Sequence, residues 1–362
     1  MTERGVNLKN ISRIEKGAGI TTIIGVVIGL LTVFTLLLET ANLGQDKWAV
    51  FAGFVVGAFA LVIISFAMIP LLGRIETRVR TDLQEKIDSS INSATFIASY
   101  TTLYLGLLIF IFLPKAFITS EQVLSFWNSY AGMYFLLPFG AGIYGFYRVI
   151  RAQALPQLPP LILLSIGLIF WSIGQALWVW YNIFGQVEIP YPSFADYGYF
   201  MCGLLWLWGT RLIRSRLQIS RAARWTPSAV SIFMIVIHSI LIFLARNGNF
   251  AMPEDPIKTI LDYYYPTVAA LNLGVLLICV FSTSSDGIIN ARLNRALRWI
   301  LVGTTSWYIA DTGFSITTSL PESHSWTFTS GNWVDFTFAT AFWIVGIGIA
   351  LFPVIVRNEN NN

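Results

Sequence analysis

Residues 171–200, WSIGQALWVWYNIFGQVEIPYPSFADYGYF, decide the fold. An apolar run closes here in a Pro-containing loop without Lys or Arg, and a carboxylate, Asp196, stands at the mouth of the next apolar run. The same order returns at 307–336, WYIADTGFSITTSLPESHSWTFTSGNWVDF. In the first copy the polar residue four after the Trp is Gln175, with Asp196 21 positions on; in the second they are Asp311 and Asp335, 24 apart. A weaker third copy, YYPTVAA at 264–270, overlays YPSFAD at 191–196 with Ala270 in the place of Asp196. An apolar run, a polar loop and a carboxylate that reopens the apolar run read as membrane helix hairpins whose polar groups gather near one surface.

Composition agrees. The chain is 55% hydrophobic, 15% aromatic and only 12% charged, with mean hydropathy +0.66; a water-soluble domain carries about 25% charge. The expected class is therefore an all-α, polytopic integral membrane protein of the cell membrane, with the lipid bilayer as its first partner. Lipid offers the backbone no hydrogen bonds, so each span must satisfy its own, as a helix does. Crossing takes about 20 apolar residues, which places spans at 20–39, 48–71, 94–114, 126–147, 158–184, 193–210, 227–245, 262–283, 298–318 and 333–356. The first is too long for a signal-peptide core and lacks an A-x-A site, so it reads as an uncleaved helix. Gly25/Gly29 and Gly53/Gly57 give the first two spans the spacing for close helix packing.

Ten spans with the N-terminus inside put 19 of the 23 basic residues in cytoplasmic segments. Lys47, Lys115, Arg246 and Lys258 alone fall outside. That asymmetry is the positive-inside rule and predicts both termini in the cytoplasm. It also accounts for the net charge of +4 without nucleic acid, and the aromatic residues fit interfacial belts. The chain then divides into a tail and two-helix hairpin (1–71), a cytoplasmic helix (72–93), an eight-helix membrane domain (94–357) and a polar tail (358–362). Ile75, Val79, Leu83, Ile87 and Ile91 recur four apart, which makes 74–93 amphipathic, lying along the membrane or docking a cytoplasmic partner. Cys202 and Cys279 fall at opposite depths, so a disulfide is not expected, and two cysteines do not make a structural zinc site.

Depth locates the chemistry. Asp311 lies 13 residues from Arg298, or about 20 Å up a core about 30 Å thick, hence about 10 Å below the outer surface. A carboxylate there must be paired, protonated or wet. Gln175, Asn182, Asp196, Asp311 and Asp335 are the expected lining of an extracytoplasmic polar pocket suited to a cation, an amine or a polar small molecule. The plainer alternative is that Asp196 and Asp335 cap helix starts while Asp311 bonds Thr or Tyr neighbours. His238, at a depth close to that of Asp311, admits three readings: a structural residue, a proton relay with Asp311, or a ligand to a haem or chlorin. No phosphate-binding Gly loop, no His-Glu-x-x-His and no loop able to house a catalytic domain occurs in the sequence. We therefore expect no enzyme, no cofactor and no metal.

From about residue 165 to 352 the chain resembles the multi-helix membrane regions that precede diguanylate cyclase, phosphodiesterase or histidine kinase domains in many bacteria and some archaea. The resemblance is carried by PYPSFADYGYF at 190–200, Tyr265-Pro266, Ala310-Asp311 and GNWVD at 331–335. It implies a sensor without catalytic activity. Two departures stand out: Ala270 replaces an acidic residue, and no output domain follows, so a signal would pass to a separate cytoplasmic partner. The alternatives are a proton- or cation-coupled carrier of small solutes and a structural or cofactor-holding subunit of a membrane complex.

Overall fold

A computed structural model of the chain describes residues 84–117, 128–150, 158–185, 191–217, 222–250, 255–283, 288–320, 324 and 326–354. The expected spans at 20–39 and 48–71, their glycine pairs, and residues 74–83 of the amphipathic segment lie outside these. Among the described residues there is no strand, and eight α-helices follow one another. They are α1 (Gln84–Phe117), α2 (Leu136–Ile150), α3 (Leu158–Trp180), α4 (Ala195–Ser215), α5 (Ala222–Ala245), α6 (Pro256–Ser282), α7 (Ile288–Thr317) and α8 (Trp333–Leu351). A 3-10 turn, Ala131–Phe135, leads into α2, and a π turn, Tyr181–Gly185, ends α3.

Six of the eight contain a segment long and apolar enough to cross a membrane: Ser93–Ile111, Pro159–Phe184, Ser228–Ala245, Pro256–Ser282, Trp333–Leu351, and Ala131–Ile150, which includes the 3-10 turn. The other two, α4 and α7, are as long but less apolar, because Tyr, Trp, Gly and Thr fill many of their positions and each carries Asp and Arg. These are the helices that bear Asp196 and Asp311. Residues 84–93, expected as the end of a surface helix, continue without a break into the span that follows.

The chain divides into two compact units, Met1–Gly106 and Leu107–Asn362. In the described part of the first, Phe96 and Tyr100 stack one turn apart with ring centroids at 5.0 Å. In the second, side-chain bonds fix how the helices run. At one end, Arg246 after α5 meets Asp262 in α6 and Ser319 after α7, while Asn182 after α3 meets Ser330 before α8. At the opposite end, Asn294 in α7 reaches Thr283 after α6, and Arg148 in α2 reaches the last turn of α8. Successive helices therefore alternate in direction, as short connections between antiparallel neighbours require.

Glycine sets how closely two of these hairpins close. A Cβ on Gly198 of α4 would lie 2.5 Å from the Phe170 carbonyl and 2.8 Å from the Gly174 nitrogen, so α3 and α4 touch backbone to backbone. A Cβ on Gly303 of α7 would lie 2.8 Å from the Val345 nitrogen and 2.9 Å from the Ala341 carbonyl of α8. These two hairpins are the two main copies of the sequence repeat. Their opening tryptophans, Trp171 and Trp307, pack on the same ring, Phe342, at 4.1 and 5.3 Å. The shared aromatic seam draws the polar residues that follow each tryptophan toward one another. On the outside, α5 leaves Ile232, Phe233 and Leu244 more than 60% exposed, an apolar face of the kind a bilayer covers.

Candidate functional site

The cavity of the second unit is built by the ends of the repeated hairpins. It is partly open, with about 750 Å³ of empty space among its lining residues when the adjoining open solvent is included. Gln175 from α3, Asp196 from α4, Asp311 from α7 and Asp335 from α8 all line it. Four of the five expected pocket residues are thus brought together across up to 160 positions of sequence. Asn182 is not among them: its side-chain amide donates to Ser330 Oγ at 3.4 Å and ties the end of α3 to the approach to α8. Asn272 of α6 lines the cavity instead, accepting from Thr210 at 3.0 Å.

Two of the carboxylates are held in the same way. Asp196 accepts the Ser193 backbone N–H on Oδ2 at 2.6 Å and the Tyr265 hydroxyl on Oδ1 at 2.7 Å. Asp335 accepts the Gly331 backbone N–H on Oδ2 and the Tyr134 hydroxyl on Oδ1 at 3.0 Å. Each thus reaches back from the first turn of its helix to the amide just before the N-cap residue, where the helix dipole favours negative charge. Each also takes a phenol from a distant helix. Gln175 repeats the theme, accepting from Tyr199 at 2.6 Å. Asp311 departs from it: among the described residues no phenol, no base and no backbone N–H is bonded to it, and the Trp307 side chain one turn earlier is the donor beside it. It is 9% exposed and lines the cavity.

Aromatic rings supply the rest of the wall. Trp178, Phe314 and Phe328 stand mutually near-perpendicular, with centroids 5.0–6.3 Å apart. On another side Trp171 packs against Tyr134, Tyr199 and Phe338 at 5.3–5.9 Å. The lining holds three Asp and no Lys, Arg or His.

Arg246 and Lys258, two basic residues outside the lining, are engaged elsewhere. Asp262 of α6 is fully buried and receives Arg246 at 2.5 Å, Lys258 at 2.9 Å and the Tyr191 hydroxyl at 2.7 Å. Arg246, expected as a plain loop residue, is buried and also donates to Ser319 and to the Phe250 carbonyl. Burial first, and then the Asp262 carboxylate beside it, raise the Tyr191 phenol well above its ordinary range, so it stays a neutral donor. Tyr191 packs edge-on against Phe314 at 5.2 Å, which links this cluster to the cavity wall. The third hairpin therefore contributes in its own way. Ala270 is buried beneath Ser231, Tyr265 reaches across to Asp196, and its acidic residue, Asp262, neutralises Arg246 and Lys258.

His238 stands apart from the cavity lining. It is fully buried, with Nε2 3.2 Å from Thr267 Oγ1 and its ring edge-on to Tyr308. No hydrogen bond or ion pair joins it to Asp311, so the direct His238–Asp311 relay is not assembled. Cys202 and Cys279 are both buried and free. Among the described residues no three of His, Cys, Asp and Glu converge as a metal cage. Tyr191, Tyr199 and Trp178 stand near the expected pocket residues in sequence, but sequence reasoning missed Tyr134 and the pairing of each phenol with its acceptor; only the Lys258/Asp262 spacing at i, i+4 was a local signal for what Asp262 does.

No protein-family model, curated protein or solved structure matches the chain.

Proposed function

We propose that this is a ten-span membrane receptor of the sensor-like kind, with both termini in the cytoplasm and its cavity facing the exterior, where it receives a small polar ligand. The observation that carries the reading is the convergence of Gln175, Asp196, Asp311 and Asp335, from four helices, on one partly open cavity. Four such groups are costly in an apolar bundle and are retained where something wet or complementary meets them. The orientation follows from charge. Arg148, Arg211, Arg214, Arg295 and Arg298 lie toward the end opposite the cavity, and the positive-inside rule puts that end in the cytoplasm. A signal leaves through a separate cytoplasmic partner, reached by the basic inner segments or by 74–93.

A carrier of protons or small solutes is the second reading, since it too needs buried carboxylates. One experiment separates the two. In a Cys202→Ala/Cys279→Ala background, Asp311→Cys is expected to react with a membrane-impermeant thiol reagent added outside and to stay unreactive when the same reagent is trapped inside. Reaction from both sides is the signature of alternating access and would transfer the protein to the carrier class. Reaction from neither side would remove the receiving cavity altogether.

A further inference from the structure

We infer that the ligand of this cavity is a small organic cation carrying a substituted ammonium group, held between the Asp311 carboxylate and the Trp178–Phe314–Phe328 corner. The inference rests on the proposal that the cavity receives a ligand, and it names the class.

Three independent features of the lining choose the class. The first is sign: three carboxylates and no basic side chain line the cavity, while Arg246 and Lys258 are bound to Asp262. Ionised carboxylates there repel an anion, and a cation supplies the counter-charge that a neutral polar molecule does not. The second is the unequal treatment of the carboxylates. Asp196 and Asp335 are each bonded by a phenol and a backbone N–H, whereas Asp311, nine-tenths buried and facing the cavity, has neither. Asp311, with only the Trp307 side chain beside it as a donor, is thus the carboxylate with most capacity left for a partner from outside the protein. The third is the wall. Three rings at interplanar angles of 74–79° form a corner whose faces turn in three directions, and Phe314 lies one turn from Asp311 on α7. A ring face attracts a cation through its quadrupole, and several faces around one site favour an alkylated ammonium, which loses little hydration on entering.

A bare inorganic ion fits less well. The acidic residues line one cavity but do not converge on a point where three could ligate one ion. Aromatic faces also repay poorly the dehydration of a small hard cation, which takes oxygen ligands.

The test uses the full chain in lipid nanodiscs and two probes of matched shape: radiolabelled choline, and the uncharged isostere in which carbon replaces the quaternary nitrogen. Choline is expected to bind saturably, and the isostere to compete at least about tenfold more weakly. Asp311→Asn should weaken choline by about tenfold or more. Phe314→Leu should weaken choline severalfold while leaving ethanolamine, a primary ammonium of similar length, nearly unchanged; this variant keeps every carboxylate and serves if Asp311→Asn folds poorly. Equal competition by the isostere would overturn the cationic class while leaving a receiving cavity in place. Absence of saturable choline binding would overturn the class as well, and the externally added thiol reagent at Asp311→Cys then decides separately whether the cavity receives anything.

Discussion

Replacing Arg246 by methionine is expected to destabilise the folded protein by about 3–5 kcal/mol, the range for removing one partner of a buried ion pair. The guanidinium is 2% exposed and Asp262 is fully buried, so the variant leaves a carboxylate with only Lys258 and Tyr191 to hold it. Arg246 also ties three elements: the end of α5, the Phe250 carbonyl after it, and Ser319 beyond α7. The loss therefore loosens one whole end of the bundle. The double variant Arg246→Met/Asp262→Leu should recover most of the stability, since it removes the stranded charge together with its partner. Lys258→Met should cost less than Arg246→Met, because Arg246 and the Tyr191 hydroxyl still hold Asp262. Reversible unfolding in mild detergent measures all three. If Arg246→Met equals the parent, the cluster is ornamental.

Arg148→Met is the second large effect, at the other end. The buried guanidinium donates from Nη1 to the Ile349 carbonyl at 2.9 Å and to the Ala350 carbonyl at 2.8 Å. These belong to the last turn of α8, which carries the negative end of its dipole, and the Ile349 carbonyl also accepts the Phe352 backbone N–H at 3.3 Å. A charge-assisted bond is worth about 1.5–3 kcal/mol, so losing the donor to both carbonyls should cost about 3 kcal/mol. Arg148→Lys should recover only part, because an ammonium does not present the planar fork of donors that a guanidinium does. The same unfolding measurement reads it, and amide exchange should quicken at 349–354 before it quickens in α3 or α4.

How much of this was legible in the sequence follows from how far each interaction reaches. Apolar length is a local signal: the eight described helices overlap eight of the ten expected segments, and six of them contain a segment long and apolar enough to cross a membrane. Gln175, Asp196, Asp311 and Asp335 could be picked out because each sits at a fixed offset from a tryptophan in a repeated pattern. Their bonding partners could not. Tyr134 is 201 residues from Asp335, and Tyr265 is 69 from Asp196. Which helix lies beside which is decided by packing, such as the glycine contacts of α3 with α4, and no local pattern encodes it. Arg246 misled for the same reason: counted as a loop residue, it is instead buried by partners on α6 and beyond α7. Asn182 and His238 were singled out by depth, which says how far along a helix a residue lies and nothing of the direction it faces.

The most direct test of the central claim is an experimental density map of the protein in a lipid nanodisc, at a resolution that shows ordered water or a bound molecule. The account predicts density against the Asp311 carboxylate that continues past Trp178 and Phe314 to the exterior solvent. Asp311 turned toward acyl chains, or sealed among side chains with no density and no opening, would contradict it and leave a helical membrane protein without a receiving site.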